Sequence, residues 1–322
     1  MKSVLPSIVG ALMLAGCQNP APADPPKLML MEDHPQQGYL SFHVSNVEVM
    51  RYQYGSQWAL PHIWPLRSPS GKDLLVQKTE PFPHHRSLWI ADKLQFEDGP
   101  VIDYYHEWKN LIDPENPSKG HHSYIRHNKI DGVYSSSDSG DLGGKGMVKA
   151  EIELSWIAHG EPIMDQTTRY TVVDHENGEY ALHMDWDYRA VYGDVHFKSD
   201  WVHYGWPFLR MSETFKGDSG GTITVDDGRS GQEATNEKYA SWLDYSNTVD
   251  GVTEGLAVYS PNDGQRRKWL TREYGTFGPR RPDHLSGKPF TLKKGESMSG
   301  NAILFVHNGG VEAAIKFAAQ LK

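Results

Sequence analysis

Cysteine is nearly absent from this sequence: one residue, Cys17, in 322. A chain with one thiol forms no internal disulfide and no Cys-ligated zinc site, so neither braces the fold. Apolar runs are short as well. The N-terminal stretch from Val4 to Leu14 is broken by Pro6, Ser7 and Gly10, and falls below the ~20 apolar residues of a bilayer-spanning helix. Basic residues are the minority, 32 Lys and Arg against 41 Asp and Glu, for a net charge of −9. With no Lys/Arg run to track a phosphate backbone, nucleic acid is excluded as a partner. The chain reads as having no serine-hydrolase Gly-x-Ser-x-Gly elbow, no His-Glu-x-x-His zinc helix, and no Rossmann or Walker loop.

What is present begins with Met1-Lys2-Ser3, the apolar stretch, and Leu14-Ala15-Gly16-Cys17. A charged start, an apolar middle and small residues before a cut form a secretory signal, read over residues 1–16. Leu-Ala-Gly-Cys resembles the bacterial lipobox, whose cysteine thiol is acylated. Cys17 is therefore the expected lipidation site, and Gln18 after it resembles lipoproteins sorted to the outer membrane. The expected location is a lipid-anchored one in the cell envelope, in the outer membrane or periplasm of a Gram-negative bacterium. Residues 17–27 hold Pro20, Pro22, Pro25 and Pro26, which disfavour helix and central strand and suit an extended tether.

Residues 28–322 read as one domain. Tyr180 to Arg189 alternates, with Tyr180, Leu182, Met184, Trp186 and Tyr188 on one face and His183, Asp185, Asp187 and Arg189 on the other. That period of two marks a strand with one buried side. Ala150 to Ala158 repeats it, and similar segments run over Phe42 to Arg51, Arg169 to Val173, Thr222 to Val225, Gly255 to Tyr259 and Asn301 to His307. Turn signals such as Asn177-Gly178 and Asp227-Gly228 separate strands. Only Val311 to Leu321 has helical spacing, through Val311, Ala314, Ile315 and Ala318. The expected class is all-β, a large antiparallel β-sandwich with a short C-terminal helix.

Sixteen His, ten Trp and sixteen Tyr supply polar rings suited to sugar faces and hydroxyls. They are densest in Pro81-Phe82-Pro83-His84-His85-Arg86-Ser87-Leu88-Trp89 and Asp103-Tyr104-Tyr105-His106-Glu107-Trp108. Imidazoles offer a base or acid near neutral pH and a guanidinium offers a fixed cation for a carboxylate. The alternative is a structural turn whose histidines cap backbone groups and whose Arg86 holds a buried carboxylate. Trp201 to Phe208 with Arg210 forms a second aromatic candidate. No metal ligand spacing stands out, so no cofactor is expected, with a divalent metal held by distant histidines kept as an alternative.

Pro65 to Asp73, Pro83 to Trp89, Trp242 to Tyr245, Gly255 to Val258, Trp269 to Phe277 and Val306 to Gly309 together resemble a bacterial family catalogued as "methane oxygenase A"-like. The resemblance implies a galactose-mutarotase-like β-sandwich (a supersandwich) tied to glycan degradation. The methane activity is rejected, because a membrane copper oxygenase needs transmembrane helices. The family pattern carries over to His84, His85, Arg86, Trp242, Arg272, Tyr274 and His307. Two departures, at Asp103 to Glu107 and at Met164-Asp165-Gln166, leave a second carboxylate unassigned.

The functional expectation is β-elimination on an acidic oligosaccharide by a lyase or dehydratase. Arg86 or Arg272 would neutralise a uronate carboxylate, and His85 would act as base or acid with Tyr274 or His106 opposite and His307 as a further candidate. His84, Trp89 and Trp242 complete the expected substrate contacts. The alternatives are a glycoside hydrolase or epimerase using Glu107 or Glu273, and a non-catalytic glycan-binding lipoprotein. The expected partners are an acidic oligosaccharide and, through Cys17, the membrane.

Overall fold

The structure, a computed structural model, describes residues 29–198, 206–260 and 265–321. The leader, Cys17, the tether and the stretch Trp201 to Gly205 lie outside the described residues. Among those described, no helix is long and apolar enough to cross a membrane.

The chain folds as the expected antiparallel β-sandwich. An eight-stranded sheet runs in the order Thr222–Val225, Trp242–Val249, Val252–Tyr259, Ser297–Asn308, Tyr180–Arg189, Glu161–Asp174, Gly146–Ala158 and Tyr124–Ser136. Its inner face carries Tyr180, Leu182, Met184, Trp186 and Tyr188, all buried in the main core. Removing each such side chain from water contributes roughly 1.5–3 kcal/mol, which fixes the register, because a one-residue slip would expose all five. Gly300 lies directly across from Trp186. A Cβ there would sit 2.4 Å from the indole, so the ring occupies the space a side chain would need.

The outer face of this sheet is apolar only near its centre. Val173, Ala181, Ile303 and Phe305 meet Ala314 and Phe317 of the C-terminal helix Val311–Gln320 in a second cluster. Ile315, expected on the packed side, is 53% exposed. Ala314 and Phe317, three apart, take the buried stripe instead.

A nine-stranded sheet covers the inner face, in the order Leu30–His34, Tyr39–Val44, Val47–Gln53, His62–Leu66, Leu88–Trp89, Phe208–Arg210, Thr276–Pro279, Arg267–Thr271 and Tyr239–Ala240. The segment Phe42 to Arg51, read as one strand, is a hairpin. Ser45 and Asn46 adopt φ values of 52° and 64°, the paired left-handed geometry of a two-residue hairpin turn. A four-stranded sheet, Phe290–Leu292, Val195–Phe197, Lys93–Phe96 and Val101–Asp103, completes the fold.

The Pro65 to Asp73 segment latches the two large sheets together. The Ser70 backbone N–H and hydroxyl donate to the two oxygens of Glu254 at 2.6 and 2.7 Å, and Lys72 Nζ lies 3.3 Å from the same carboxylate. Glu254 is fully buried, so these donors offset the desolvation of its charge.

Candidate functional site

Three neighbouring short strands of the nine-stranded sheet and the edge of the small sheet converge on one cluster. Leu88–Trp89 is preceded by the loop bearing His84, His85 and Arg86. Phe208–Arg210 pairs beside it and carries Arg210. Thr276–Pro279 follows the turn bearing Arg272 and Tyr274, closed by a bond from Gly275 N to Arg272 O of 2.9 Å. Val101–Asp103 delivers Asp103, and a short 3-10 turn, Glu107–Asn110, follows His106.

Backbone bonds hold the histidine loop against its neighbours. Val76 N donates to Arg210 O at 3.0 Å, Lys78 N to His85 O at 2.9 Å, and His85 N to Phe82 O at 3.0 Å. The resulting turn places adjacent His84 and His85 in different surroundings. His85 is 3% exposed, its Nε2 lies 3.2 Å from the Tyr105 hydroxyl, and its Nδ1 lies 3.4 Å from the Thr276 hydroxyl. Burial, followed by the charge environment of His84 and Arg210, pushes its pKa down to about 2. His85 is thus a neutral, internally bonded ring, and the expected role of base or acid does not fit it.

His84 is half-buried, and burial followed by His106 and Arg86 lowers its pKa to about 4, so it is neutral at pH 7. His106 is also half-buried. Its Nδ1 meets Asp103 Oδ2 at 2.9 Å, while its backbone N–H donates to Asp103 Oδ1 at 3.0 Å. Lys109 Nζ adds a third contact to Asp103 at 3.0 Å. Burial would raise the Asp103 pKa, but hydrogen bonds from His106 and Lys109 outweigh it and hold the carboxyl well below its usual range. An ionised carboxylate fixing one imidazole nitrogen orients the other for proton transfer.

Arg86 forms a buried ion pair with Glu107, and its Nη1 donates to Pro83 O at 2.9 Å. Burial lowers its pKa to about 10, which leaves it charged at neutral pH. The cation expected to bind a substrate carboxylate is therefore committed to Glu107, and Glu107 is equally unsuited as a hydrolase acid. This is the structural alternative that the sequence left open. Glu273, the other carboxylate considered, is exposed, and its backbone N–H is bonded to Gln232.

The half-exposed and exposed rings form a row. Tyr274 stacks on Phe82 at 5.3 Å, Phe82 meets His84 at 6.2 Å, His84 meets His106 at 4.6 Å, and His106 meets Trp108 at 6.4 Å. Cations back both ends. Arg210, 2% exposed, places its guanidinium 4.7 Å from the Tyr274 ring centre and donates to Thr276 at 3.3 Å, and Lys109 Nζ lies 5.5 Å from the centre of Trp108. Trp108 is 52% exposed, unusual for the largest apolar side chain. Arg272 is half-buried and bonds the carbonyl of Thr271.

His84, His85, Arg86, Trp89, His106 and Tyr274 thus meet in one place, with Arg272 in the Tyr274 turn. Trp89 is buried beside His85 and Phe208 rather than open to a substrate. Trp242 and His307 belong elsewhere. Trp242 packs against Tyr259 in the cluster beneath the C-terminal helix. His307 is fully buried in the eight-stranded sheet, where its Nε2 meets Asp244 Oδ1 at 2.8 Å and Ser246 donates to Asp244 Oδ2 at 2.9 Å. A ring with no exposed surface cannot reach a sugar, so His307 does not fit its expected role, and Trp242, 7% exposed, lies under the C-terminal helix away from the row.

Sequence reasoning gave no role to Asp103, Arg210 or Trp108. The three-residue spacing of Asp103 and His106 was a usable signal, whereas Arg210 was marked only beside the second aromatic candidate and nothing local ties it to Tyr274. The sequence also spells Gly-x-Ser-x-Gly at Gly217 to Gly221, contrary to the reading above. There Ser219 is exposed on a 3-10 turn leading into a strand, with none of the strand-to-helix setting of a nucleophile elbow. Of the second aromatic candidate, Trp206 and Phe208 are buried core residues. Among the described residues, no group of three or more His, Cys, Asp or Glu side chains is placed to hold a metal ion.

These features define an antiparallel β-sandwich protein with an open row of imidazole and aromatic rings at one edge. The chain belongs to a family of unknown function (DUF6807), whose profile matches residues 39–320. The methane oxygenase name attached to the sequence resemblance finds no support there. No curated protein sequence matches the chain. Among solved structures it is similar to an α-galactosidase from Lactobacillus brevis, at 9% identity and a TM-score of 0.46, over 91% of this chain and 40% of that one. It is also similar to a polysaccharide lyase, at 9% identity and a TM-score of 0.38, over 84% of this chain and 34% of that one. A GalM/aldose epimerase homologue from C. elegans matches at 9% identity and a TM-score of 0.31, over 85% and 97% of the two chains. The chain thus spans less than half the length of the first two, and none of these scores carries a residue or a reaction across.

Proposed function

We propose that the protein acts on a carbohydrate chain held along the row of rings from Tyr274 to Trp108, by acid–base chemistry at His106 oriented by Asp103, most concretely by β-elimination from an acidic oligosaccharide. The observation that carries this reading is the row of rings from Tyr274 to Trp108. Tyr274 and Phe82 lie nearly parallel at 28° and offer one flat face for a sugar, whereas Phe82, His84, His106 and Trp108 meet at 84°, 51° and 76° and so present edges and ring nitrogens to its hydroxyls.

In this reading His106, oriented by Asp103, takes the proton at C5 of a uronate, with neutral His84 beside it. The electron pair forms the C4–C5 double bond, the C4–O bond breaks, and the departing oxygen takes a proton from water, while Tyr274, at the other end of the row, contacts a neighbouring sugar. Arg272 pairs with the uronate carboxylate, whose neutralisation makes the C5 proton acidic enough to remove. A hydrolase would instead need two available carboxylates. Of the carboxylates near the row, Asp103 and Glu107 are held by Lys109 with His106 and by Arg86, which leaves exposed Glu273 in the Tyr274 turn as the available one and favours imidazole chemistry.

The assay is the rise in ultraviolet absorbance of an unsaturated uronate product, across a panel of uronate oligosaccharides, with His106→Asn and Tyr274→Phe in parallel. A rise in the parent protein that falls by about 10²–10⁴-fold in His106→Asn, the usual share of a general acid or base, and by less in Tyr274→Phe is the expected outcome. Shortened sugars with no absorbance rise would overturn elimination in favour of hydrolysis. We further propose that this activity lies outside the cytoplasm, on a protein anchored through Cys17.

A further inference from the structure

The end of the sandwich where the described chain begins carries exposed apolar side chains that the proposed chemistry does not use. Leu30 opens the edge strand of the nine-stranded sheet and pairs with His43, next to the hairpin tip Val44-Ser45-Asn46-Val47. The carbonyl of Met29, just before it, accepts a hydrogen bond at 2.9 Å from the hydroxyl of Ser135 in Tyr124–Ser136, the edge strand of the eight-stranded sheet. The edges of both large sheets thus meet at this point. Around it Leu30 is 37% exposed, Val47 59%, Val133 62% and Tyr134 54%. Apolar side chains grouped on a surface mark a contact with another molecule or with a membrane.

Three observations select a lipid surface. The first is where the chain enters. Cys17 lies twelve residues before Met29, and at ~3.3–3.6 Å per residue a lipid on Cys17 would hold Met29 within roughly 40 Å of a bilayer. This end of the domain is therefore the one kept nearest the surface, at the high local concentration that a short tether imposes. The second is chemistry. The hairpin tip holds no charge, and a tyrosine ring favours the headgroup level of a membrane. Of the carboxylates beside these residues, Glu48 and Asp131 are each paired at 2.9 Å, with Arg51 and Lys129, and Glu32 lies 3.7 and 3.9 Å from His34 and His43. The third argues against a second copy of the chain. The edge strand Tyr124–Ser136 breaks register between His127 and Lys129 and again between Ile130 and Gly132, and such bulges, with an edge lysine, blunt edge-to-edge pairing.

We infer that this end of the domain, the Val47 hairpin tip with Leu30 and the Val133–Tyr134 edge, rests on the bilayer surface and fixes how the domain stands on it. The three aliphatic side chains enter the interfacial region, and the Tyr134 hydroxyl meets headgroups. The inference rests on the proposed Cys17 anchor, which supplies nearness. It goes beyond that anchor, because a tether alone limits distance and leaves orientation open.

The test uses the full chain, expressed in a Gram-negative host and reconstituted into vesicles of phosphatidylethanolamine with a minority of phosphatidylglycerol. Val47→Cys, Val133→Cys and a control, Val191→Cys, each add one thiol for an environment-sensitive dye, since acylation blocks the thiol of Cys17. Ser135 lies level with Leu182 across the sheet, and Val191, 41% exposed, follows Arg189 at the far end of that strand, about 20 Å along it. Dyes at positions 47 and 133 are expected to shift to the blue and to be quenched by aqueous iodide about threefold or more weakly than the dye at 191. Adding Leu30→Ser and Tyr134→Ser to Val133→Cys should restore iodide access there. Equal quenching at all three positions overturns the inference, and so does shielding that persists in the Cys17→Ala chain without vesicles, which would mean a second copy covers the face. Flotation of the parent with vesicles, and its failure to take up dye, read the anchor independently. If the parent labels at Cys17 and does not float, the anchor reading falls, and the dye at 133 is read in the Cys17→Ala chain with excess vesicles: a blue shift keeps the membrane face, and none removes it.

Discussion

The buried pair Arg86 and Glu107 decides whether the His-His-Arg segment is mainly architecture or mainly chemistry, and its energetics can be worked from the structure. Each residue is 5% exposed, and Arg86 Nε and Glu107 Oε2 have no hydrogen-bond partner among the described residues. Removing one charge of such a pair strands the other in a medium that cannot solvate it, a cost of about 3–5 kcal/mol. Glu107→Gln preserves shape and one acceptor, so the lower end, about 3 kcal/mol, is expected. Against a total stability of roughly 5–15 kcal/mol, that loss moves the urea midpoint visibly. Replacing both residues, Arg86→Met with Glu107→Leu, removes both charges together and should restore most of the loss, since an apolar pair of similar volume is often as stable as an ion pair. Equilibrium urea unfolding of Arg86→Met, Glu107→Leu and the variant that carries both measures the coupling directly. If Glu107→Gln costs under about 1 kcal/mol, or if the double variant is no more stable than the sum of the singles, the pair is not the internal brace described above.

Other perturbations read other parts of the fold. His307 is pushed down by burial, but the Asp244 hydrogen bond and charge outweigh this and raise its pKa above the ordinary value. A raised folded value means that its contribution to stability is complete below about pH 6.5 and is lost as pH climbs through the folded pKa. The gap in Tm between the parent and His307→Gln should therefore narrow as pH rises above neutrality, and a pH-independent gap would contradict the pairing. Gly300→Ala should destabilise by about 1–3 kcal/mol, because its methyl group would lie 2.4 Å from the Trp186 ring; calorimetry showing an unchanged Tm would mean the indole has room to move. Cys17→Ala should abolish palmitate labelling in a Gram-negative host and release the protein from the membrane fraction. Unchanged fractionation would remove the proposed anchor.

How much of this was legible beforehand differs between strands and site. The period-two pattern of Tyr180 to Arg189 was enough to assign both the strand and its buried face, because five large side chains on one side permit only one orientation. The same reasoning joined Phe42 to Arg51 across a turn, since Ser45 and Asn46 interrupt the pattern by so little that only their left-handed backbone reveals the hairpin. In the site, residue type correctly drew attention to the His84 to Arg86 and Asp103 to Glu107 segments. It could not distribute roles within them. His84 and His85 are adjacent and chemically identical, yet a bond from His85 N to Phe82 O turns one inward against Tyr105 and leaves the other half-exposed beside His106.

The sequence by itself determined the β class, the C-terminal helix and the segments that carry polar rings, because alternation and composition are local properties of the chain. Only the tertiary structure decided which charges are free. Arg86 and Glu107 are 21 positions apart, Asp244 and His307 are 63 apart, and Arg210 lies 64 residues before the tyrosine it underlies. Whether a guanidinium binds a substrate or a neighbouring carboxylate depends on what folding brings within a few ångströms of it and on how much water remains there. Neither quantity is written at the position itself.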